Sequence, residues 1–229
     1  MSLKFETLRK DEQVCAYIQA GNDSLKVLGY TEHSFPHLCH TAETAASLLR
    51  ELGYPEETIE LAKIAGLLHD IGNMINRSSH ALTGAEIART ILEKHGMPYA
   101  DIGIVCSAIG NHDEGVGKPI NIVSAALIIA DKSDVRRSRV QETDMKKIIA
   151  DIHDRVNYAV TRADIKVART ETDAAGRQCA IRLCLDIDNN FTPVMDYFEI
   201  FLSRMLMCRR AATFLGADFE LVINDMKIM

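Results

Sequence analysis

The chain has 229 residues, of which 47% are hydrophobic and 25% charged, a composition typical of a globular protein with one large domain or one domain with a smaller appendage. The formal net charge of −6 and the absence of tryptophan argue against a broad nucleic-acid surface, so nucleic acid is not an expected partner. The N-terminal residues lack the apolar core of a signal peptide, and the longest apolar stretch, residues 122–130, is too short to span a bilayer, so we expect no membrane association.

Apolar residues recur with helical periodicity up to about residue 163, and runs of β-branched residues are few. Glycine and proline separate several of the predicted helices, with Gly53 and Pro55 after one of them and Gly96 and Pro98 after another. The predicted helices lie near residues 10–20, 35–52, 56–69, 80–95, 99–111, 120–138 and 143–163.

The pattern changes after residue 163. Residues 165–170 and 179–187 have the composition of two strands of a hairpin, and residues 219–224 that of a short third strand. Between them, Pro193 precedes a long apolar helix that ends at Gly216. We therefore predict a mainly α protein, with a helical domain over residues 1–163 and a small α+β (ββαβ) unit over residues 164–229. This C-terminal unit could form a homodimer interface.

The six cysteines are scattered through the chain, and none forms a CxxC pair. This pattern indicates reduced thiols, mostly in the core, of a cytoplasmic protein. Disulfides or a thiolate zinc site are the alternatives.

Polar side chains interrupt apolar segments at several points. His69 and Asp70 end an apolar run in "LLHDIGN", and Asp131 interrupts a helix in "IIADKSD". Because a buried carboxylate is costly, it needs a cation, a hydrogen-bond network or a metal. For Asp131 the alternative to a metal is an ion pair with Lys132 or Arg136.

Two further histidines, His37 and His40, share one face of a predicted helix, and their spacing alone does not choose between them as ligands. Imidazole and carboxylate together suit iron, manganese, zinc or similar divalent ions. Such a set is typical of hydrolytic chemistry, because a bound cation lowers the pKa of water and neutralises a phosphoryl group.

The segments "PHLCHTAETAASLLRELG", "AGLLHDIGN" and "IIADKSD" together resemble the HD-domain superfamily of metal-dependent phosphohydrolases, over roughly residues 30–140. The resemblance implies a helical bundle that carries an ordered His, His-Asp, Asp ligand set. In that alignment His37 is the first ligand, since small residues follow it at the family's spacing. His69 and Asp70 form the HD pair and Asp131 is the last ligand, whereas His40 becomes a pocket residue.

Two more histidines extend the resemblance to binuclear members of the superfamily, such as the hydrolases that cleave diadenosine tetraphosphate. His80 begins one predicted helix and His112 ends another, at places where those members carry extra ligands. A solvent contact for His80 and a favourable helix-dipole position for His112 are the alternatives. The resemblance implies two divalent ions bridged by Asp70, with Fe or Mn favoured and Mg, Zn, Co or Ni possible. The implied metal ligands are His37, His69, Asp70, His80, His112 and Asp131.

The function implied by the resemblance is hydrolysis of a phosphoester or phosphoanhydride by metal-activated water, with Asp70 and Asp131 as catalytic residues. The expected partner is a small phosphorylated molecule, a nucleotide above all. The alternatives are a non-catalytic nucleotide sensor, a di-iron oxygenase, and RNA cleavage, against which the negative net charge argues. Asp134 is expected to orient a ligand or to pair with Arg137 or Arg77. The candidate substrate-binding residues are Arg77, Lys132, Lys118, Asn73 and His40, of which Asn73 stands where many relatives have lysine.

Overall fold

Helices make up most of the first 159 residues in the computed structural model, which describes residues 3–170, 176 and 178–229. Short 3₁₀ turns at Ile71–Met74, Arg77–Ser79 and Arg137–Arg139 connect some of them. The α-helices in this part of the chain are α1 (Phe5–Leu8), α2 (Glu12–Val27), α3 (Phe35–Glu51), α4 (Glu56–Leu68), α5 (His80–Lys94), α6 (Tyr99–Gly110), α7 (Ile122–Lys132), α8 (Met145–Ala150) and α9 (Ile152–Ala159).

Three of the predicted helices differ from the structure. α2 continues to Val27, well beyond the predicted end at residue 20. α7 ends at Lys132, so the predicted extension to residue 138 is wrong. The single helix predicted over residues 143–163 is wrong as well, because Asp151 ends α8 and caps α9 through its side chain. From Val160 the chain pairs with a neighbouring strand instead of continuing as a helix.

A mixed four-stranded sheet follows, in the order β1 (Val160–Arg169), β2 (Cys179–Ile187), β3 (Asp218–Ile223) and β4 (Met226–Lys227). The strands β1 and β2 are antiparallel, as the predicted hairpin requires; their connection, residues 171–178, lies outside the described residues except for Gly176 and Gln178. The strands β2 and β3 are parallel and are joined by the long helix α10 (Val194–Phe214), and β4 adds a short antiparallel edge. A mainly α fold with a small C-terminal α+β unit is thus confirmed.

The sheet and the helices share one apolar core. Phe201 and Met205 of α10 are buried in a cluster that also contains Ile128 of α7 and Leu183 of β2. The predicted boundary at residue 163 falls inside β1, so the division into two domains stays a prediction. Because α10 packs against α7, it lies next to the helix that carries Asp131.

Helices α3 and α4 approach each other closely at Gly66. A Cβ atom at Gly66 would lie 2.6 Å from the Cα of Ala42, which leaves no room for a side chain. Since Ala42 follows His37 by little more than one turn and Gly66 precedes His69 by almost one, this contact brings the two histidines together. Within the described residues, no helix has both the length and the apolar character needed to cross a membrane.

Candidate metal centre

The six side chains predicted as ligands come from five places in the chain and meet at one buried point. His37 lies in the first turn of α3, His69 follows α4 directly, and His80 is the first residue of α5. His112 follows the end of α6, and Asp131 lies in the last turn of α7. All six are buried, with at most 9% of the residue exposed: His37, His69, Asp70, His80, His112 and Asp131.

The first cluster joins His37 and His69 to both aspartates. The Nε2 atoms of His37 and His69 lie 3.4 and 3.5 Å from Oδ1 of Asp131. The same two atoms lie 3.7 and 3.2 Å from Oδ2 of Asp70. Two imidazole nitrogens therefore face two carboxylate oxygens at distances that leave space for an ion between them.

The second cluster uses the other oxygen of Asp70. Its Oδ1 lies 3.4 Å from Nε2 of His80 and 3.9 Å from Nε2 of His112. Because Oδ1 faces one pair of histidines and Oδ2 the other, Asp70 has the geometry of a carboxylate that bridges two cation sites. Within this geometry the ligand atoms of Asp70, His80 and His112 lie close enough together to hold an ion.

In the neutral form of three of these histidines, Nδ1 carries the proton and Nε2 carries none. A backbone carbonyl only accepts hydrogen bonds, so a ring nitrogen facing one must carry the proton. Such bonds hold Nδ1 of His69 to Gly66 O at 2.9 Å, Nδ1 of His80 to Arg77 O at 2.8 Å and Nδ1 of His112 to Ile109 O at 2.6 Å.

The Nε2 atoms of these rings then need a partner, either a proton or a metal ion. Those of His80 and His112 lie 3.1 Å apart, yet two lone pairs cannot bond to each other. Those of His37 and His69 are buried and have no hydrogen-bond partner in the part of the chain that the structure describes. In each of these rings a hydrogen-bond acceptor holds Nδ1, so that Nε2 faces the carboxylates. Such a set of ligand atoms fits divalent transition metals.

The electrostatics of the cluster also favour positive charge. Burial alone would lower the pKa of His69, but the Asp70 and Asp131 carboxylates outweigh it and raise the pKa of His69 to about 10. Burial, assisted by the charge on His69, lowers the pKa of His112 to about 3. Without an ion, the positive charge of the His69 ring thus partly balances the negative charges of Asp70 and Asp131. A divalent ion would replace that proton, because a protonated imidazole cannot ligate.

Asp134 orients His37. Its Oδ2 accepts a hydrogen bond from Nδ1 of His37 at 2.7 Å, which points the opposite nitrogen of that ring at Asp70 and Asp131. Asp134 also accepts a hydrogen bond from Arg136 at 2.9 Å, instead of pairing with Arg137 or Arg77 as the sequence suggested.

We expect the Asp134→Asn variant to bind metal less tightly, because the neutral amide weakens the basicity and fixation of the His37 ring. The expected loss is about 10- to 100-fold in metal affinity, the usual effect of removing such a partner. Titration of Mn²⁺ against a competing chelator measures it. Asp164→Asn, which alters only an exposed ion pair with Arg162, is the matched control and should leave the affinity unchanged. Equal affinity in the two variants would contradict the assigned role.

A cavity of about 320 Å³ opens in front of Asp70 and Asp131, and two predicted substrate-binding residues line it. Arg77 lies 3.7 Å from Oδ1 of Asp70 through Nη1, and its guanidinium covers the ring of Tyr30. Lys132 is buried and its Nζ lies 2.7 Å from Oδ2 of Asp131. The ion pair considered as an alternative for Asp131 therefore exists, on the oxygen that faces away from the histidines.

The other three predicted substrate-binding residues do not line this cavity. Asn73 is buried and donates from Nδ2 to Oδ1 and to the backbone oxygen of Asp70, both at 2.9 Å, so it holds that carboxylate in place. Lys118 is exposed on the loop between α6 and α7. His40 faces a separate cavity between α3 and the strands β1 and β2.

Several residues that belong to the site were not predicted. His33 lies with Nε2 3.8 Å from Oδ2 of Asp70, and its Nδ1 contacts the backbone oxygen of Thr31 at 2.6 Å. Its position four residues before His37, just ahead of α3, is the signal that could have identified it. Glu114, whose Oε2 lies 2.8 Å from Nζ of Lys132, gives no such signal in the sequence.

Comparison with known proteins places this chain in a family. The family model for the HD domain matches residues 35–159. An uncharacterized protein of Methanocaldococcus jannaschii is 27% identical over 71% of this chain and 70% of its own length. Ribonuclease Y of Opitutus terrae is 32% identical over 51% of this chain, and ribonuclease Y of Mycoplasma mycoides 30% identical over 69%.

The match to ribonuclease Y concerns a part of those enzymes only. The chain covers 20% of the Opitutus enzyme and 34% of the Mycoplasma enzyme. No solved structure matches the chain. The family model nevertheless spans more than half of the 229 residues, and it includes all five places from which the clustered ligands come. HD-domain proteins are in general metal-dependent hydrolases, and this chain belongs to the HD-domain family.

Proposed function

We propose that the protein is a phosphohydrolase that uses two divalent ions to cleave a phosphoester or phosphoanhydride bond in a small molecule, with a nucleotide as the expected class. The observation that carries the proposal is the position of the Asp70 carboxylate between four histidines. Its Oδ2 faces the Nε2 atoms of His37 and His69, and its Oδ1 faces those of His80 and His112. Divalent ions held there would supply Lewis acidity, which activates water and neutralises phosphoryl oxygens.

The chain's own residues prepare the site for a phosphate. Lys132 holds one oxygen of Asp131, so that the other is fixed toward His37 and His69. Arg77 lies at the edge of the cavity beside Asp70, where its charge would favour an incoming anion. The exposed ring of Tyr30 lines the same cavity and offers a face on which a nucleobase can stack.

RNA is the second candidate substrate, because the relatives named ribonuclease Y act on it according to their name. Two features of this chain favour a small molecule instead. Asp151 and Asp154 line the cavity and disfavour a polyanion, and the chain as a whole has a net charge of −6. RNA is therefore included in the test as a competing substrate.

The test begins with removal of metal by a chelator. Mn²⁺ or Fe²⁺ is then added, and a panel of nucleotides, a chromogenic phosphodiester and a single-stranded RNA oligomer are screened for phosphate release or fragments. We expect turnover of small phosphorylated compounds only with metal, and at the same rate under anaerobic conditions. Oxygen-dependent product formation would favour an oxygenase instead, and no metal-dependent turnover of any compound would contradict the proposal.

The number of bound ions is a separate measurement. Elemental analysis of the metal-loaded protein should give two ions per chain if all six predicted ligands take part. One ion per chain would restrict the site to the cluster formed by His37, His69, Asp70 and Asp131.

A further inference from the structure

Four cationic side chains line the cavity at the metal centre, and they differ in how fully their hydrogen-bond donors are used. Arg139 is buried, and it donates from Nε and Nη2 to the backbone oxygen of Glu32 and from Nη1 to that of Asp134. Its guanidinium therefore fastens the segment before α3 to the end of α7. The four cations are Arg77, Lys132, Arg139 and Arg204.

Lys132 is also occupied. Its ammonium group lies 2.7 Å from Asp131 and 2.8 Å from Glu114, and only 7% of its side chain is exposed. Two carboxylates therefore neutralise the lysine, and it has little charge to offer to a ligand. Arg77 remains available, but it lies beside the metal ligand Asp70, where the reacting phosphoryl group itself is expected.

Arg204 differs from the other three. It comes from α10 in the C-terminal sheet unit, and its Nε donates to Oε1 of Glu114 at 2.7 Å. Its guanidinium carbon lies 4.8 Å from the ring centre of Phe201, which is buried beneath it. Neither of its Nη atoms has a partner in the described ranges of the chain, and a quarter of the side chain is exposed to the cavity.

These contacts hold the guanidinium in one place while leaving its two terminal nitrogens free. A fixed planar fork of this kind binds a phosphate or carboxylate through two parallel hydrogen bonds. A chain of three ion pairs, through Glu114 and Lys132, separates Arg204 from Asp131, so an anion bound there is a different group from the one at the metal ligands.

We propose that Arg204 determines substrate specificity by binding a second anionic group, so that the substrate class is a molecule with at least two phosphate groups. This inference rests on the proposed phosphohydrolase function and gives the C-terminal sheet unit a part in it. The carboxylates of Asp151 and Asp154 line the same cavity, and they restrict where the second anion can bind.

The test measures binding of inorganic pyrophosphate and of inorganic phosphate to the Mn²⁺-loaded protein by calorimetry. For Arg204→Gln we expect about a 10- to 100-fold weaker affinity for pyrophosphate, the usual effect of losing a bidentate charged contact, and an affinity for phosphate within about 2-fold of the parent protein. Arg204→Lys keeps the charge but not the fork, so it should recover part of the pyrophosphate affinity. Arg210→Gln, an exposed arginine on the same helix, is the matched control and should change neither affinity.

The outcomes separate this inference from the proposed function. A role of Arg204 in specificity is supported if Arg204→Gln selectively loses pyrophosphate binding. The same variant should then show a raised KM and an unchanged kcat for a diphosphate substrate. Equal loss of both ligands, or loss of bound Mn²⁺ in both Arg204→Gln and Arg204→Lys, would show that Arg204 acts only through Glu114 and would overturn the inference. If pyrophosphate binds selectively but nothing is hydrolysed, the assignment of Arg204 stands and the proposed function fails.

Discussion

The Asp70→Asn variant is expected to lose metal-dependent phosphate release while keeping the fold. The two side-chain oxygens of Asp70 face the two clusters, one each, and asparagine offers a single neutral oxygen of the same size. A bound metal ion supplies several kcal/mol of transition-state stabilisation. Losing about 4 kcal/mol of it lowers kcat by about 10³-fold. Elemental analysis should show one ion per chain at most, and phosphate release measures the activity.

A matched control uses another aspartate. Asp23 lies on the exposed face of α2, where its side chain accepts a hydrogen bond from Gln19 at 2.8 Å, so Asp23→Asn should leave metal content and activity unchanged. Circular dichroism of both variants checks that the helices remain. If Asp70→Asn bound two ions and turned over substrate like the control, the interpretation of the His/Asp cluster as a binuclear centre would be wrong.

The helices that carry the ligands were predictable because their signals are local. The predicted ranges 35–52 and 56–69 differ from α3 and α4 by a single residue at the C-terminal end. Each helix buries one apolar stripe and is followed within four residues by a glycine, and both features can be read from neighbouring residues. The helix prediction for residues 160–163 is wrong for the opposite reason. These residues become a strand only by pairing with residues 185–187, far along the chain.

The same distinction applies to the site. His69, Asp70 and Asp131 attract notice because a charge in an apolar segment needs an explanation within that segment. Arg204 and Glu114 carry no local anomaly, and their contact joins positions 90 residues apart. A lysine on a glycine-containing loop, Lys118, fits a phosphate site equally well in sequence, but only tertiary structure shows that it does not line the cavity.

The Gly72→Ala variant is expected to destabilise the fold and to damage the second metal cluster at once. A Cβ atom at Gly72 would lie 2.1 Å from the backbone oxygen of His80 and 2.6 Å from the backbone nitrogen of Gly84. Because both neighbours are backbone atoms of α5, no side-chain rotation relieves the clash, and the first turn of the helix must move away. His80 would move with it, away from Asp70.

Overpacking of this kind costs about 3 kcal/mol of unfolding free energy, which for a chain of this length lowers Tm by roughly 6–12 °C. Gly103→Ala supplies the matched control, because Gly103 is exposed within α6 and a Cβ there would have nothing within 4 Å. That variant should gain up to about 1 kcal/mol from helix propensity, so the two Gly→Ala changes should shift Tm in opposite directions. Thermal unfolding of the metal-free proteins separates the packing effect from lost metal binding, and elemental analysis after loading reports the second site. A Gly72→Ala protein as stable as the parent, with both ions bound, would show that α5 can yield at this contact without displacing His80.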